Sequence, residues 1–317
     1  MFKMAAIKGN FSMVNTMKRV LSVSLGSSNR DHTALLSLMG ESFILQRTGT
    51  NGDLKKMLQL VKENDGHVNA FGLGGIDLYI EALGRRYIIR DAQKIAAAAR
   101  LTPMVDGSGL KNTLERRVVK LLQEETDIFA VKRRKVLVVS AMDRFGLAQS
   151  MELAGCDMCY GDLLFTLKIP LSLKSLRTLS YWARVCAPVI RLLPFSILYP
   201  TGKKQDNGSP RYRHIFLNAD VIAGDFHFIR RYMPEELPGK IVITNTVTAD
   251  DIDMLKQRGV HLLVTTTPEI EGRSFGTNVM EAMLVAYTGS RGELNPADYE
   301  LLLDKLDIKP RVLPLQQ

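Results

Sequence analysis

Long apolar runs, cysteines and a glycine-rich phosphate turn are what this sequence has least of. No apolar run approaches the roughly 18 residues of a membrane-spanning helix, so a transmembrane role is not expected. Only three cysteines occur among 317 residues, Cys156, Cys159 and Cys186. The first two form a C-x-x-C, but on a strand positions i and i+3 point to opposite faces, and no second pair completes a zinc site. The cysteines are therefore expected to be structural, and no metal site is expected. Residues 1–16 lack the long apolar core and small-residue cleavage site of a signal peptide. They read as a flexible leader before Met17, with the cytoplasm as the default location. Acidic residues are nearly missing from 163–217, where nine lysines and arginines face the single acid Asp206. That segment carries +8 of the net charge of +9, so the basicity is a local patch. Repeats and low-complexity stretches are absent as well.

What the chain does have is a series of short β-branched runs that stop at polar clusters. Residues 135–140 run into Ala141-Met142-Asp143-Arg144-Phe145-Gly146, residues 219–223 into Gly224-Asp225-Phe226-His227, and residues 240–243 into Thr244-Asn245-Thr246. Such runs suit strands covered on both faces by helices, and open α/β sheets bind ligands at the carboxyl ends of their strands. Hydrophobic content of 46% beside 24% charged residues fits a globular chain, and the length suffices for one large or two medium domains.

In the first half, strands are expected at 18–25, 42–46, 68–71, 86–89 and 103–105, with helices over 53–62, 92–99 (capped by Asp91) and 111–124. This alternation makes 17–131 an α/β substrate domain. The basic stretch Lys132-Arg133-Arg134-Lys135 marks the boundary to a Rossmann-like nucleotide-binding domain over 132–317. There a strand from 135, a helix over 146–153 and a strand ending near Asp162 are followed by a break at 163–217. Strands near 221, 241 and 262, helices over 249–258 and 278–287 and a last helix after Pro296 complete the pattern. The expected fold class is thus α/β, with two α/β domains, the second Rossmann-like and carrying a basic helical insertion.

The turn after Ser140 stands where a dinucleotide fingerprint would, yet only Gly146 supplies a glycine. Asp143 is unwelcome beside a diphosphate, which Arg144 could offset. Asp162, 22 residues after Ser140, either contacts a ribose or caps the next turn. Gly224, Asn245 and Thr246 at neighbouring strand ends complete the candidate contacts to NAD or NADP. Asp225 and His227 are expected to alternate along an extended segment, sharing one face as a tuned acid–base pair, unless the histidine is structural. In the first half, Asp106-Gly107-Ser108-Gly109-Leu110-Lys111-Asn112-Thr113 is the densest polar loop. Lys111 there is an anion clamp or, with a lowered pKa, an acid–base group, the alternative being a solvated turn. Ser27, Ser28, Asp77, Ser108 and Asn112 are expected at the same edge, with Arg273 and Asn278 closing the cleft as substrate contacts.

Within the basic segment, Lys174, Arg177, Arg184 and Arg191 are spaced 3, 7 and 7, so a helix would set them on one stripe that Pro188 must kink or break. Anionic lipid, an acidic protein or mere coverage of the domain are the readings of that stripe. Specific nucleic-acid binding is not expected, for want of a motif or aromatic interleaving. Assembly into a homo-oligomer stays open.

Taken together, Val20-Leu21-Ser22-Val23-Ser24-Leu25-Gly26-Ser27-Ser28, the loop 105–113, Gly224-Asp225-Phe226-His227-Phe228-Ile229-Arg230-Arg231 and Gly272-Arg273-Ser274-Phe275-Gly276-Thr277-Asn278 resemble a bacterial family whose members carry the label quinate 5-dehydrogenase. The resemblance covers the chain from Met17 onward. It implies a substrate domain followed by a nicotinamide domain, and a Lys–Asp pair handling a hydroxyl proton, here Lys111 with Asp106 or Asp77. The glycine-rich turn of shikimate and quinate dehydrogenases has no counterpart in these residues. The functional expectation is an NAD(P)-dependent dehydrogenase of a small hydroxylated carboxylic acid. The alternative is a non-catalytic ligand-binding or sensor protein using the same cleft.

Overall fold

The computed structural model describes residues 17–38, 40–82, 85–194, 212–270 and 273–316. In chain order the first half comprises β1 (Lys18–Ser24), β2 (His32–Leu38), β3 (Glu41–Gly49), α1 (Leu54–Asn64), β4 (Ala70–Gly74), β5 (Tyr79–Ala82), β6 (Arg85–Ile88), α2 (Arg90–Ala96), β7 (Met104–Val105) and α3 (Ser108–Glu125). The second comprises β8 (Lys135–Val138), α4 (Phe145–Leu153), β9 (Asp157–Tyr160), α5 (Asp162–Phe165), α6 (Leu176–Ile190), α7 (Arg213–Asn218), β10 (Val221–Ala223), α8 (Phe226–Tyr232), β11 (Ile241–Thr244), α9 (Ala249–Gln257) and β12 (Leu262–Thr265). It closes with β13 (Glu269–Ile270), β14 (Arg273–Ser274), α10 (Thr277–Thr288), α11 (Pro296–Lys305) and β15 (Arg311–Pro314).

Two mixed sheets result, ordered β2-β3-β1-β4-β7 and β15-β12-β11-β10-β8-β9. The antiparallel strands β2 and β15 lie at their edges, and all other neighbours in both sheets are parallel. Counted within its own half, the second sheet's parallel strands run 2-1-3-4-5, the doubly wound order whose crevice opens between the first and third strands, β8 and β10. The first sheet's parallel strands run 2-1-3-4, with the same switch between β1 and β4.

The alternation of buried side chains explains the layers. Along β8 and the residue that follows it, Val136 and Val138 point into one core while Leu137 and Val139 point into another. In β1, Val20 joins the shared core and Leu21 and Val23 the far one, against Met57 and Val61 of α1. The shared core runs between the two sheets and is filled from α3, α4, α10 and α11, with Leu110, Leu114, Leu147, Met151, Met280, Met283 and Tyr299 among its members. Helix α10, placed by sequence in the second domain, packs on β1, β3 and β4 of the first sheet and on α3. The second half therefore supplies a layer to the first.

Several local expectations change. Asp91 lies in the first turn of α2, whose N-cap is Ile89, and pairs with Lys94 at 3.2 Å. Residues 85–88 pair with β5 in a separate hairpin rather than joining the first sheet. Helix α6 begins after Lys174, which is left out of the proposed stripe, and continues past Pro188 to Ile190. Lys203, Lys204 and Arg211 of the basic segment, and the leader 1–16, lie outside the described residues.

Candidate functional site

The carboxyl ends of both parallel sheets open into one cavity of about 590 Å³ between the halves. Parallel pairing places Ser24 beside Gly49 and Gly74 in the first sheet, and Val138 beside Ala223 in the second, so the polar loops that follow converge. Ser27, Asp77, Asp106, Ser108, Lys111, Asn112, Asp143, Arg144, Gly146, Asp162, Asp225, His227, Asn245, Thr246 and Asn278 all line it. Helix α6 crosses over the opening. Leu173 pairs with Tyr160 of β9 just before the helix starts, and the helix packs on β5. At its far end the Arg191 carbonyl accepts from Arg90 N at 3.1 Å.

Lys111 is the centre of the polar floor. Its Nζ lies 2.6 Å from Asp143 Oδ1 and 3.5 Å from Asp77 Oδ1, with the side chain almost completely buried. Burial opposes its charge, but Asp143 and then Asp77 outweigh burial and hold the ammonium above the ordinary lysine range. Lys111 is thus a fixed cationic donor at neutral pH, not the acid–base group that a lowered pKa would make it. Asp106 does not join this pair. Its carboxylate accepts from Leu78 N at 2.6 Å and Ser108 N at 2.9 Å, ordering the loop that enters α3. Gly107 is held at φ +93°, and a Cβ there would come within 2.6 Å of Asn278 N, so the starts of α3 and α10 abut at this point. Asn278 donates to Ser22 Oγ at 2.8 Å, tying α10 to β1.

Arg144 ties the halves together. Its guanidinium donates to Glu115 Oε1 at 2.7 Å and lies 3.2 Å from Asp143 Oδ2 and 3.3 Å from Asp225 Oδ2. Three carboxylates therefore occupy the group that was expected to offset a phosphate. Burial disfavours its charge, but these partners, Glu115 foremost, raise its pKa further above the ordinary arginine value. Asp225 is the N-cap of α8 and accepts from His227 N at 2.9 Å, so the two residues occupy a cap and a helical turn, not an extended segment. His227 Nε2 accepts from Arg30 Nη1. Burial and then Arg30 push the imidazole below its usual value, against the pull of Asp225, leaving it neutral at pH 7. Asn245 Nδ2 reaches Asp225 Oδ2 at 3.3 Å.

Arg30 and Arg47 were not among the sequence candidates, and both line the cavity. Arg47 donates to Ser24 Oγ at 3.0 Å, to the Ser27 carbonyl at 3.0 Å and to Asp31 Oδ1 at 2.8 Å. Burial and the neighbouring Arg30 push its pKa down to about 10, against Asp31. The signal in the sequence was only its place at the carboxyl end of a strand.

The turn after β8 decides how a dinucleotide would fit. The Asp162 carboxylate accepts from Ala141 N at 3.0 Å and Met142 N at 2.9 Å. Those are the backbone amides that would face a diphosphate in a doubly wound fold, and a carboxylate already fills them. Burial raises the Asp162 carboxyl to about 6, against the bonds from Met142 and Ala141. Gly146 serves packing: a Cβ there would lie 2.6 Å from the Asn112 carbonyl oxygen, where α4 crosses α3. The residues present do not fit a diphosphate in this turn. Gly224, another candidate contact, is absent from the cavity wall. It is held at φ +134°, and a Cβ would come within 2.6 Å of Val139 Cγ2. Ser28 also stays off the wall, exchanging bonds with Asn51. The side chain of Arg273 lies outside the described residues; its backbone belongs to β14.

Residues 109–315 match the domain of unknown function DUF8754, and residues 19–106 match DUF8753. The chain belongs to the DUF8754 family. The two matches meet at the loop entering α3, so the family boundary falls at the cavity floor. No curated protein matches this DUF8754 member. Among solved structures, it is similar at 11% identity and TM-score 0.35 to a galactofuranose binding protein, covering 92% of this chain and 98% of that one. A sugar ABC transport system substrate-binding protein from Bordetella parapertussis is 8% identical, with TM-score 0.35 and coverage of 86% and 80%. An NAD-dependent malic enzyme from Thermotoga maritima is 11% identical, with TM-score 0.33 and coverage of 92% and 83%. At these scores the likeness carries no argument about ligand or reaction.

Proposed function

We propose that the chain is a ligand-binding protein whose cleft takes a small hydroxylated carboxylic acid without a dinucleotide beside it. The observation that carries this reading is the Asp162 carboxylate on the Ala141 and Met142 amides. Hydroxyl groups suit Asp77, Asp143 and Asn112, where carboxylate and amide oxygens accept and Lys111 donates. The ligand's carboxylate suits the side lined by Ser24, Ser27, Arg30 and Arg47. The test is a calorimetric titration with quinate, shikimate and gluconate. Binding that Lys111→Met weakens at least tenfold is expected, and no binding of any acid at millimolar concentration would overturn the reading.

The second reading is the NAD(P)-dependent dehydrogenase. It is favoured by the Lys111–Asp77 ion pair and the neutral His227 in the same cavity, and requires NAD or NADP to avoid the turn that Asp162 fills.

For the basic segment we infer an anionic bilayer surface as partner. On α6 the exposed Tyr181, Val185 and Val189 recur at i, i+4 and i+8, and Arg177 and Arg184 run along one side of that apolar strip. Cosedimentation with phosphatidylserine-containing vesicles should exceed that with neutral ones and fall with salt and with the double variant Arg177→Gln, Arg184→Gln. Equal binding to both vesicle types, or none, would remove this partner.

A further inference from the structure

The cavity has two chemically different sides, and the proposed acid uses only one of them. The charged lining groups come from the strand-end loops, from β3, from Glu81 of β5 and from α3, α5 and α8. The part of the wall formed by α6 has none. Leu179, Ala183, Ala187 and Ile190, at helical spacings of four, four and three, face inward, with Trp182 at the rim. Ser180 and Cys186 line this wall as well, and the small side chains between the bulkier Leu179 and Ile190 make it a shallow trough. Leu163 and Leu167, in and just after α5, and Phe228 of α8 add to this apolar lining. The arginines Arg177 and Arg184 of the same helix are turned out to solvent.

A single hydroxylated ring seated on Lys111 and its carboxylates would leave that trough facing water. The cavity's 590 Å³ lies well inside the roughly 300–1,000 Å³ of sites that enclose larger organic ligands. Apolar surface that a ligand covers contributes about 25 cal/mol per Å², so a trough of this kind rewards a ligand with an apolar arm.

We propose that the ligand is an amphiphile, a hydroxylated acid bearing an aryl group, with its polar head on the Lys111–Asp77–Asp143 floor and its aryl group under α6 against Leu179, Ala183 and Ala187. This rests on the ligand-binding reading above and adds the substrate class. The arrangement also explains why a helix that spans the cleft keeps its charged side chains outside: an arginine facing inward would meet the apolar arm with a desolvation cost.

The experiment compares quinate with its 3-O-caffeoyl ester, chlorogenate, on the full chain by calorimetry. Trp182, the chain's sole tryptophan, supplies a parallel fluorescence readout from the cavity rim. Chlorogenate should bind at least tenfold more tightly than quinate. The Ala183→Gln variant, which fills the trough, should erase that advantage while leaving quinate affinity within about threefold. Quinate binding with no gain for the ester, or a gain untouched by Ala183→Gln, overturns the amphiphile and leaves the ligand-binding reading standing. Binding of neither acid, nor of shikimate or gluconate, overturns both.

Discussion

Glu281 is the titratable group with the clearest consequence for stability. It is completely buried on α10, where the Tyr299 hydroxyl donates to its Oε1. Burial raises its carboxyl to about 8, against the Tyr299 bond and helped by Asp106 and Glu293. Because the folded value exceeds the ordinary 4.5, the native state holds this proton more tightly than the unfolded chain does. Its stabilising contribution is complete below about 4.5 and is lost as pH rises through about 8. Glu281→Gln keeps an oxygen acceptor for Tyr299 and removes the titration. Thermal unfolding of the variant should therefore lose less Tm than the wild type between pH 5 and pH 9, and parallel curves would contradict the assignment. Arg144 gives a second test. Arg144→Met leaves the buried Glu115 without its main cation and takes one of two cationic partners from Asp143, and urea unfolding should show a loss of about 3–5 kcal/mol. These roles were only partly legible. The sequence placed Asp77 and Lys111 at the strand ends of the first half and Asp162 and Asp225 at those of the second, since that follows from where the apolar runs stop. It could not show that Asp162 turns back to bond two amides, because that depends on the path of the chain after β9. Arg30 and Arg47 escaped notice because only the pairing of β1 with β3 brings Ser24 and Arg47 together.

Helices and parallel strands were readable where burial follows one clear period. The run at 135–139, alternating between two cores, and helix α1, capped by Asp53 through bonds to Lys55 N and Lys56 N, are examples. Edge elements were not. In β2 Ala34 is buried and Leu36 and Leu38 pack partly against the core, but the apolar Leu35 between them is 62% exposed, so no clean alternation announces a strand there. Strand β15 has the same character, with Val312 exposed, and its antiparallel place beside β12 arises from tertiary pairing alone. Helix α10 was found, but its destination was not, since a helix buried on nearly every side carries no directional stripe. The α3–α4 crossing yields a further prediction. Gly146→Ala forces a Cβ against the Asn112 carbonyl, which should cost about 1–3 kcal/mol of stability in urea unfolding. A neutral result would mean that α4 is free to shift.

Across the whole molecule, one helical layer shared by two sheets makes the halves a continuous packed unit, with the cavity where both sheets' strand ends meet. That geometry turns polar loops distant in sequence into one site, and it also explains why no single motif announced the site. The proposed function requires that this site take a small acid while Asp162 closes the β8 turn to a diphosphate. Calorimetric titration with NADH and NADPH, on the wild type and on Asp162→Ala, tests it most directly. Neither dinucleotide should bind the wild type at millimolar concentration. Micromolar binding to the wild type would contradict this requirement and return the chain to the dehydrogenase reading.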